Sequence, residues 1–246
     1  MSSPVVVSPV PVRYRPAQVR ALFDKMAETY GWSRWLSGGQ LGRWRHQLAH
    51  ALRQPITGPA HVVDLMAGGA DLWPALHHRF GAGLHVTAVD FSAPMLARAA
   101  ALAAGSQLAL YQANALATAL PAGQATAVTC AFGLKTLRPA EYPALAAEAA
   151  RLLRPGGEVA LVEFVLPDSG WRRQVMLHYL ALLVPCLGWL QPTANVHAEL
   201  ARYASVGPDF SALRQALEQA GFTQVRQRRL WPGYAVLLTA VAKPAN

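Results

Sequence analysis

The sequence predicts an α/β fold: an open, mostly parallel sheet with helices on both faces. Three observations predict it. Short apolar runs alternate with helical patterns from His61 to Phe164, the signature of strands joined by crossover helices. The chain has 246 residues, 53% hydrophobic and only 14% charged. That size suits one domain with a large buried core and a helical elaboration. Two acidic residues, Asp64 and Asp90, fall at the ends of the first two strands, where parallel sheets hold their ligands.

The elements follow in order. Residues 1–16 read as a Pro-rich arm. Arg20–Trp35 and Leu41–Leu52 read as two helices separated by Ser37-Gly38-Gly39. His61–Met66 is a buried strand running into Gly68-Gly69, and Asp71–Arg79 is a helix. Leu84–Val89 is a second strand ended by Asp90. Ser92 is positioned to cap a Pro94–Ala104 helix. Leu108–Gln112 and Thr126–Phe132 are the third and fourth strands. Glu141–Leu153 is a helix stopped by Pro155-Gly156-Gly157, and Glu158–Phe164 is the fifth strand. Trp171–Leu190 is mostly helical and Ser211–Ala220 is a helix. Thr223–Leu230 and Ala235–Ala242, joined through Trp231-Pro232-Gly233, form a closing hairpin, so one of them runs antiparallel to the rest.

Composition excludes several classes. Two cysteines, Cys130 and Cys186, make neither a disulfide framework nor a four-cysteine zinc site. The eight histidines include no HExxH, so no metal is expected. The first twelve residues, broken by Pro4, Pro9 and Pro11, do not read as a signal peptide. The most apolar stretch, Val175–Leu190, is interrupted by His178, Pro185 and Gly188 and does not read as a membrane span. A cytoplasmic setting is expected. The net charge of +9 divides as +6 over residues 1–60, −1 over 61–199 and +4 over 200–246. Basic flanks around a neutral middle suit an anionic surface or substrate. Arginine makes up 19 of the 22 basic residues, so a compositional origin of the charge carries equal weight.

The glycine turn Ala67-Gly68-Gly69-Ala70-Asp71 follows Asp64, and Asp90 ends the second strand 26 residues later. Neither GxGxxG nor GxxxxGK[ST] is present, which argues against a dinucleotide or a cradled phosphate. A ligand with ribose hydroxyls and no phosphate fits better, and S-adenosylmethionine (SAM) is such a ligand. Asn114-Ala115, after the third strand, is placed to face an adenine edge.

Several segments together resemble the ubiquinone/menaquinone biosynthesis C-methyltransferases. Phe23-Asp24-x-x-Ala27-x-x-Tyr30, Ser37-x-Gly39 and Trp44 resemble their N-terminal helical motif. Val63 to Leu72 resembles their SAM turn, and Asp90-Phe91-Ser92-Ala93-Pro94-Met95-Leu96 their second-strand motif. Gln112 to Ala115, Ala131 to Leu134, and Leu153-x-Pro155-Gly156-Gly157 with Val162-Glu163-Phe164 are similar to three more. The resemblance covers residues 19–242. It implies a class I, Rossmann-like methyltransferase fold with seven strands and a helical N-terminal lid. On that plan residues 1–56 are arm and lid, 57–168 the SAM-binding core, and 169–246 the substrate-side helices and closing strands.

The resemblance also implies roles. Asp64, Gly68 and Gly69 would line the methionine end of SAM, and Ala67 and Asp71 are also expected to bind the cofactor. Asp90 would take the ribose, Asn114 and Ala115 the adenine, and Ala131 would lie beside the cofactor, with Phe91 also among the cofactor-binding residues. Three departures stand out. The family turn reads Gly-Thr-Gly-Asp where this chain has Gly68-Gly69-Ala70-Asp71. An Arg-Asn pair is replaced by Lys135-Thr136, and a His-Arg pair by Leu41-Gly42. Lys135, Thr136 and Tyr30 therefore stand where the family handles the acceptor's proton, and are the candidate catalytic residues. The expected reaction is C-methylation of a hydrophobic quinol-like or isoprenoid acceptor. O- or C-methylation of a soluble metabolite and a catalytically weak scaffold are the alternatives. Peripheral membrane contact is expected and nucleic-acid binding is not. The oligomeric state is open, a homodimer included.

Overall fold

The computed structural model describes residue 24 and residues 37–53, 58–104, 106–167, 169–179 and 207–244. Seven strands form one sheet: β1 (Ala60–Leu65), β2 (Leu84–Asp90), β3 (Leu108–Gln112), β4 (Ala125–Ala131), β5 (Leu153–Phe164), β6 (Phe222–Leu230) and β7 (Ala235–Ala242). Their order is β3-β2-β1-β4-β5-β7-β6. The first five are parallel, and β7 runs antiparallel to both β5 and β6. The expected parallel sheet with one reversed closing strand is what the chain forms.

Central strands of this kind are covered on both faces and so read as apolar runs. Helices α1 (Gln40–Ala51), α2 (Trp73–Phe80) and α3 (Ala93–Ala103) contribute Trp44, Leu48, Leu76 and Ala99 to one core cluster. Helices α4 (Tyr142–Leu152) and α6 (Phe210–Gln219) contribute Tyr142, Leu145, Leu213 and Leu217 to a second. Inward residues of single strands alternate between the clusters: Val62 belongs to the first, Val63 and Leu65 to the second. Ser92 caps α3, its hydroxyl accepting from the Met95 amide at 3.4 Å.

Two boundaries differ from the sequence reading. Helix α2 begins at Trp73, not Asp71, because residues 68–72 are spent on a turn. Strand β5 begins at Leu153, directly after α4. The Pro-Gly-Gly run lies inside the strand as a bulge, where the register with β4 shifts between Ala125 and Ala127. A side chain on Gly157 would lie 2.9 Å from the Arg154 carbonyl oxygen, so this glycine is required by packing. The expected Arg20–Trp35 lid helix, apart from Asp24, and the continuation of Trp171–Leu190 beyond Tyr179 lie outside the described residues. Helix α5 covers Trp171–His178.

Candidate functional site

β1 and β4 are neighbours, and the chain order runs outward from them in both directions. Their carboxyl ends therefore open onto the crevice where doubly wound sheets bind ligands. A cleft of about 500 Å³, including its open mouth, lies there. Asp64, Met66, Ala67, Gly68, Asp71 and Leu72 form one wall, Asp90, Phe91 and Met95 a second, and Ala131, Phe132, Gly133 and Thr136 a third. Arg45 of α1 reaches in from above the sheet.

The turn after β1 is held in an unusual backbone. Met66, Gly68 and Ala70 have φ of 56°, 56° and 57°, and Phe132 after β4 has 66°. L-residues with side chains rarely occupy this region, and three of the four here are not glycine. Asp90 fastens the turn to the end of β2. One carboxylate oxygen accepts from the Gly68 amide at 2.8 Å and the other from the Ser92 amide at 2.9 Å. The Ser92 hydroxyl donates onward to Asp24 at 2.5 Å, linking the N-terminal motif to the second-strand motif. Gly133 is needed by its neighbours: a Cβ there would lie 2.7 Å from Cβ of Met66. Gly69 is not; a Cβ there would make only ordinary contact with Arg98, at 3.6 Å.

The cleft is electrostatically lopsided. Asp64 is buried on its floor and accepts from the Thr129 hydroxyl at 2.7 Å. Burial outweighs that bond and the nearby Arg45, and pushes its pKa up to about 7. Burial also raises Asp90, against the opposing pull of the Ser92 and Gly68 amides. Arg45 is the one arginine among the lining residues. Its Nη2 lies 3.4 Å from Asp71 and its guanidinium 5.4 Å from the centre of the Phe132 ring. Its Nε is buried and unpartnered.

The structure gathers most of the expected cofactor residues. Asp64, Ala67, Gly68, Asp71, Asp90, Phe91 and Ala131 line the cleft, and Gly69 is buried beside it. Asn114 and Ala115 sit past the end of β3, outside that lining. Asn114 is exposed, and its side-chain oxygen accepts from the Leu116 amide at 3.0 Å. Among the candidate catalytic residues only Thr136 lines the cleft, its hydroxyl donating to the Gly133 carbonyl at 2.6 Å.

Lys135 departs from expectation. Its ammonium pairs with Glu163 at 3.0 Å and also donates to the Phe132 carbonyl, and it is not among the lining groups. The reason is Glu163 of β5, fully buried and in need of a cation. Tyr30 lies outside the described residues. Sequence reasoning missed Arg45, Met66 and Phe132. Arg45 carried a signal: it stands one turn before Leu48 and Ala49 on the inner face of α1, an arginine on an apolar stripe.

The comparisons with known proteins fall on this geometry. A model of the ubiE/COQ5 methyltransferase family matches residues 12–242. The chain belongs to that family. It is 33% identical over 233 residues to a demethylmenaquinone methyltransferase of Mycolicibacterium gilvum, covering 93% of this chain and 96% of that one. A Thermus thermophilus protein of the same name is 33% identical over 220 residues, covering 88% and 97%. Among solved structures, a phosphoethanolamine N-methyltransferase 2 of Haemonchus contortus, in complex with S-adenosylhomocysteine, superposes with a TM-score of 0.65. The identity is 13%, over 97% of this chain and 62% of that one. This chain is a SAM-dependent methyltransferase of Rossmann-like fold.

Within this methyltransferase the departure at Ala70 has a measurable cost. The turn keeps a φ of 57° at Ala70, a buried residue. The left-handed conformation costs an L-residue roughly 1–2 kcal/mol, while a glycine there loses about 0.4–1 kcal/mol through the unfolded chain. Ala70→Gly is therefore expected to stabilise the fold by about 0.5–1 kcal/mol. A thermal melt reads this as a rise of a few degrees, with SAM affinity equal or better. A lower midpoint would mean that the Ala70 methyl group packs well enough to outweigh its strain.

Proposed function

We propose that this chain transfers the methyl group of SAM to a ring carbon of a hydrophobic, quinol-like acceptor. The observation that carries the reading is the cleft itself. Carboxylates crowd its β1–β2 side, whereas Phe132 and Thr136 on the β4 side, with Met66 of the β1 turn packed against them, offer an apolar surface with a single hydroxyl; Arg45 stands between, paired with Asp71 and over the Phe132 ring. Family membership and the demethylmenaquinone methyltransferase relatives support the same acceptor class.

The residues fit SAM. In this reading Asp64 faces the ammonium of its methionine end, and the unpartnered Nε of Arg45 faces its carboxylate. Asp90 holds the ribose hydroxyls, Phe91 packs by the adenine, and Asn114 and Ala115 lie at its edge. When bound, SAM supplies an activated methyl group on a sulfonium. The protein's share of the work is alignment and exclusion of water. Phe132 and Met66 provide an apolar wall for the ring, and Thr136 offers its hydroxyl oxygen to the acceptor's ring hydroxyl. Tyr30 remains the candidate for the proton. The test is calorimetry with SAM, followed by methyl transfer to a demethylmenaquinone and to a water-soluble catechol. Transfer to the catechol alone would favour a soluble metabolite, and no SAM binding would remove the reading.

A pH dependence follows from Asp64. Its ligand-free pKa of about 7 means the carboxyl is largely protonated at pH 6 and must ionise to meet an ammonium. SAM affinity is thus expected to rise with pH, by roughly eightfold between pH 6 and 7.5, with release of a proton on binding. Calorimetry in buffers of different ionisation enthalpy counts that proton. Asp64→Asn should bind more weakly and show a shallower profile, with what remains coming from Asp90, whose pKa burial also raises; a wild-type profile that is already flat would place the ammonium elsewhere.

A further inference from the structure

We infer that the surface joining the start of α5 to the β6–β7 turn is a docking face for an anionic lipid bilayer. The inference rests on the proposed hydrophobic acceptor. It names where the chain meets the phase in which such an acceptor dissolves.

Trp171 and Trp231 are each 70% exposed, and Val175 is 54% exposed. Large apolar groups at such exposure are unusual for a buried-core protein unless they face a partner. The tryptophans belong to one surface. Arg172 stacks on the Trp171 ring with its guanidinium 5.5 Å from the centroid, and the same side chain donates to the Pro232 carbonyl at 3.5 Å. The Tyr234 hydroxyl donates to the Arg172 carbonyl at 3.0 Å, so turn and helix are tied in both directions.

The charge around them is predominantly basic. Counted from Pro167, residues 167–179 and 226–234 hold five arginines against one acidic residue, Asp168, a net of +4. Arg173 is anchored to the Pro167 carbonyl and Arg229 to the Gly233 carbonyl. These bonds fix where both guanidinium groups stand on the surface. Tryptophan with arginine is the composition of a bilayer interface: the indole sits at headgroup depth and the cations meet anionic lipid. β6 is also the edge of the sheet, and its Arg226, Arg228 and Arg229 are all exposed, which discourages pairing with another strand. The face is connected to the site. The Trp44 indole on α1 donates to the Trp231 carbonyl at 2.9 Å, and its ring lies 6.2 Å from that of Phe132 in the cleft wall. No described helix is long and apolar enough to cross a membrane, and the proposed contact is a peripheral one.

The experiment uses the full chain and vesicles of phosphatidylcholine with or without 30% phosphatidylglycerol (about a third anionic lipid, enough for a negative surface potential). Co-sedimentation and quenching of tryptophan by brominated lipid are read together. Binding is expected only to the anionic vesicles, with quenching, and weakening as salt shortens the Debye length below its roughly 8 Å at physiological strength. Trp171→Ser/Trp231→Ser should lower partitioning at least tenfold and abolish most of the quenching. Arg172→Gln/Arg229→Gln should lower partitioning while leaving residual quenching. SAM affinity by calorimetry should be unchanged in both, which shows that the variants fold and keeps this result separate from the functional reading. Wild-type protein that ignores anionic vesicles, or the tryptophan variant binding as wild type does, would overturn the inference. Binding to RNA in preference to vesicles would assign the face to a polyanion instead.

Discussion

Lys135→Met is expected to lower stability by about 3–5 kcal/mol, the cost of leaving a buried charge without its partner. The Lys135 side chain is 11% exposed and that of Glu163 is 0%. The carboxylate also accepts from the Lys135 amide at 3.1 Å and the Phe164 amide at 2.8 Å. Removal of the ammonium strands an anion between two strand ends. For a domain of this length the melting midpoint should fall by roughly 10 °C. The double variant Lys135→Met/Glu163→Gln deletes both charges and keeps an acceptor oxygen for one of those two amides, and should recover part of the loss. If the single variant melts like wild type yet loses turnover, Lys135 handles the acceptor after all. If stability falls and SAM affinity and turnover per folded molecule persist, the lysine braces the β4–β5 wall behind Phe132. The Lys135-Thr136 departure from the family's Arg-Asn then divides into a brace and, at Thr136, a cleft residue.

How much was legible in the sequence depended on whether a feature is local. β1, β2, β4 and β7 are buried on both faces and read as apolar runs. Asp64 and Asp90 were legible because strand ends place them automatically. Ser92 was legible because capping needs only the next three residues. The features that were not legible depend on distant partners. Glu163 claims Lys135 only because β5 lies beside β4 in a particular register. Arg45 enters the cleft only because α1 packs on the sheet face below it. Positive φ at Met66 and Phe132 could not be read, since neither residue advertises it as glycine does. Pro155-Gly156-Gly157 misled for the opposite reason: its turn chemistry is real but serves a bulge, with Gly156 at φ 74°, rather than a break before the strand.

Asp90→Ala is expected to weaken SAM binding ten- to a hundredfold, the equivalent of losing one charge-assisted hydrogen bond of roughly 1.5–3 kcal/mol. The sequence alone casts Asp90 as a ligand to ribose hydroxyls. The structure adds that the carboxylate fastens the SAM turn to the end of β2 through the Gly68 and Ser92 amides. A residue 6% exposed whose carboxylate has two backbone donors is structural as well as functional, so alanine should also cost about 1–3 kcal/mol in stability. Asp90→Asn separates the two roles. Its amide oxygen accepts from one backbone donor, while its NH₂ confronts the other and has no charge to offer a ribose. Asparagine should therefore recover part of the melting midpoint and little of the affinity. Its midpoint should also depend less on pH, because burial raises the Asp90 pKa and the folded state holds its proton to higher pH than the unfolded chain does. By linkage, that proton stabilises the fold at acid pH, and its contribution is lost as pH rises through the folded pKa. Calorimetric SAM affinities and melts of wild type, Asp90→Ala and Asp90→Asn from pH 5 to 8 measure all of these. Alanine and wild type binding SAM equally would leave Asp90 as a turn clamp alone, and would move the ribose to another group.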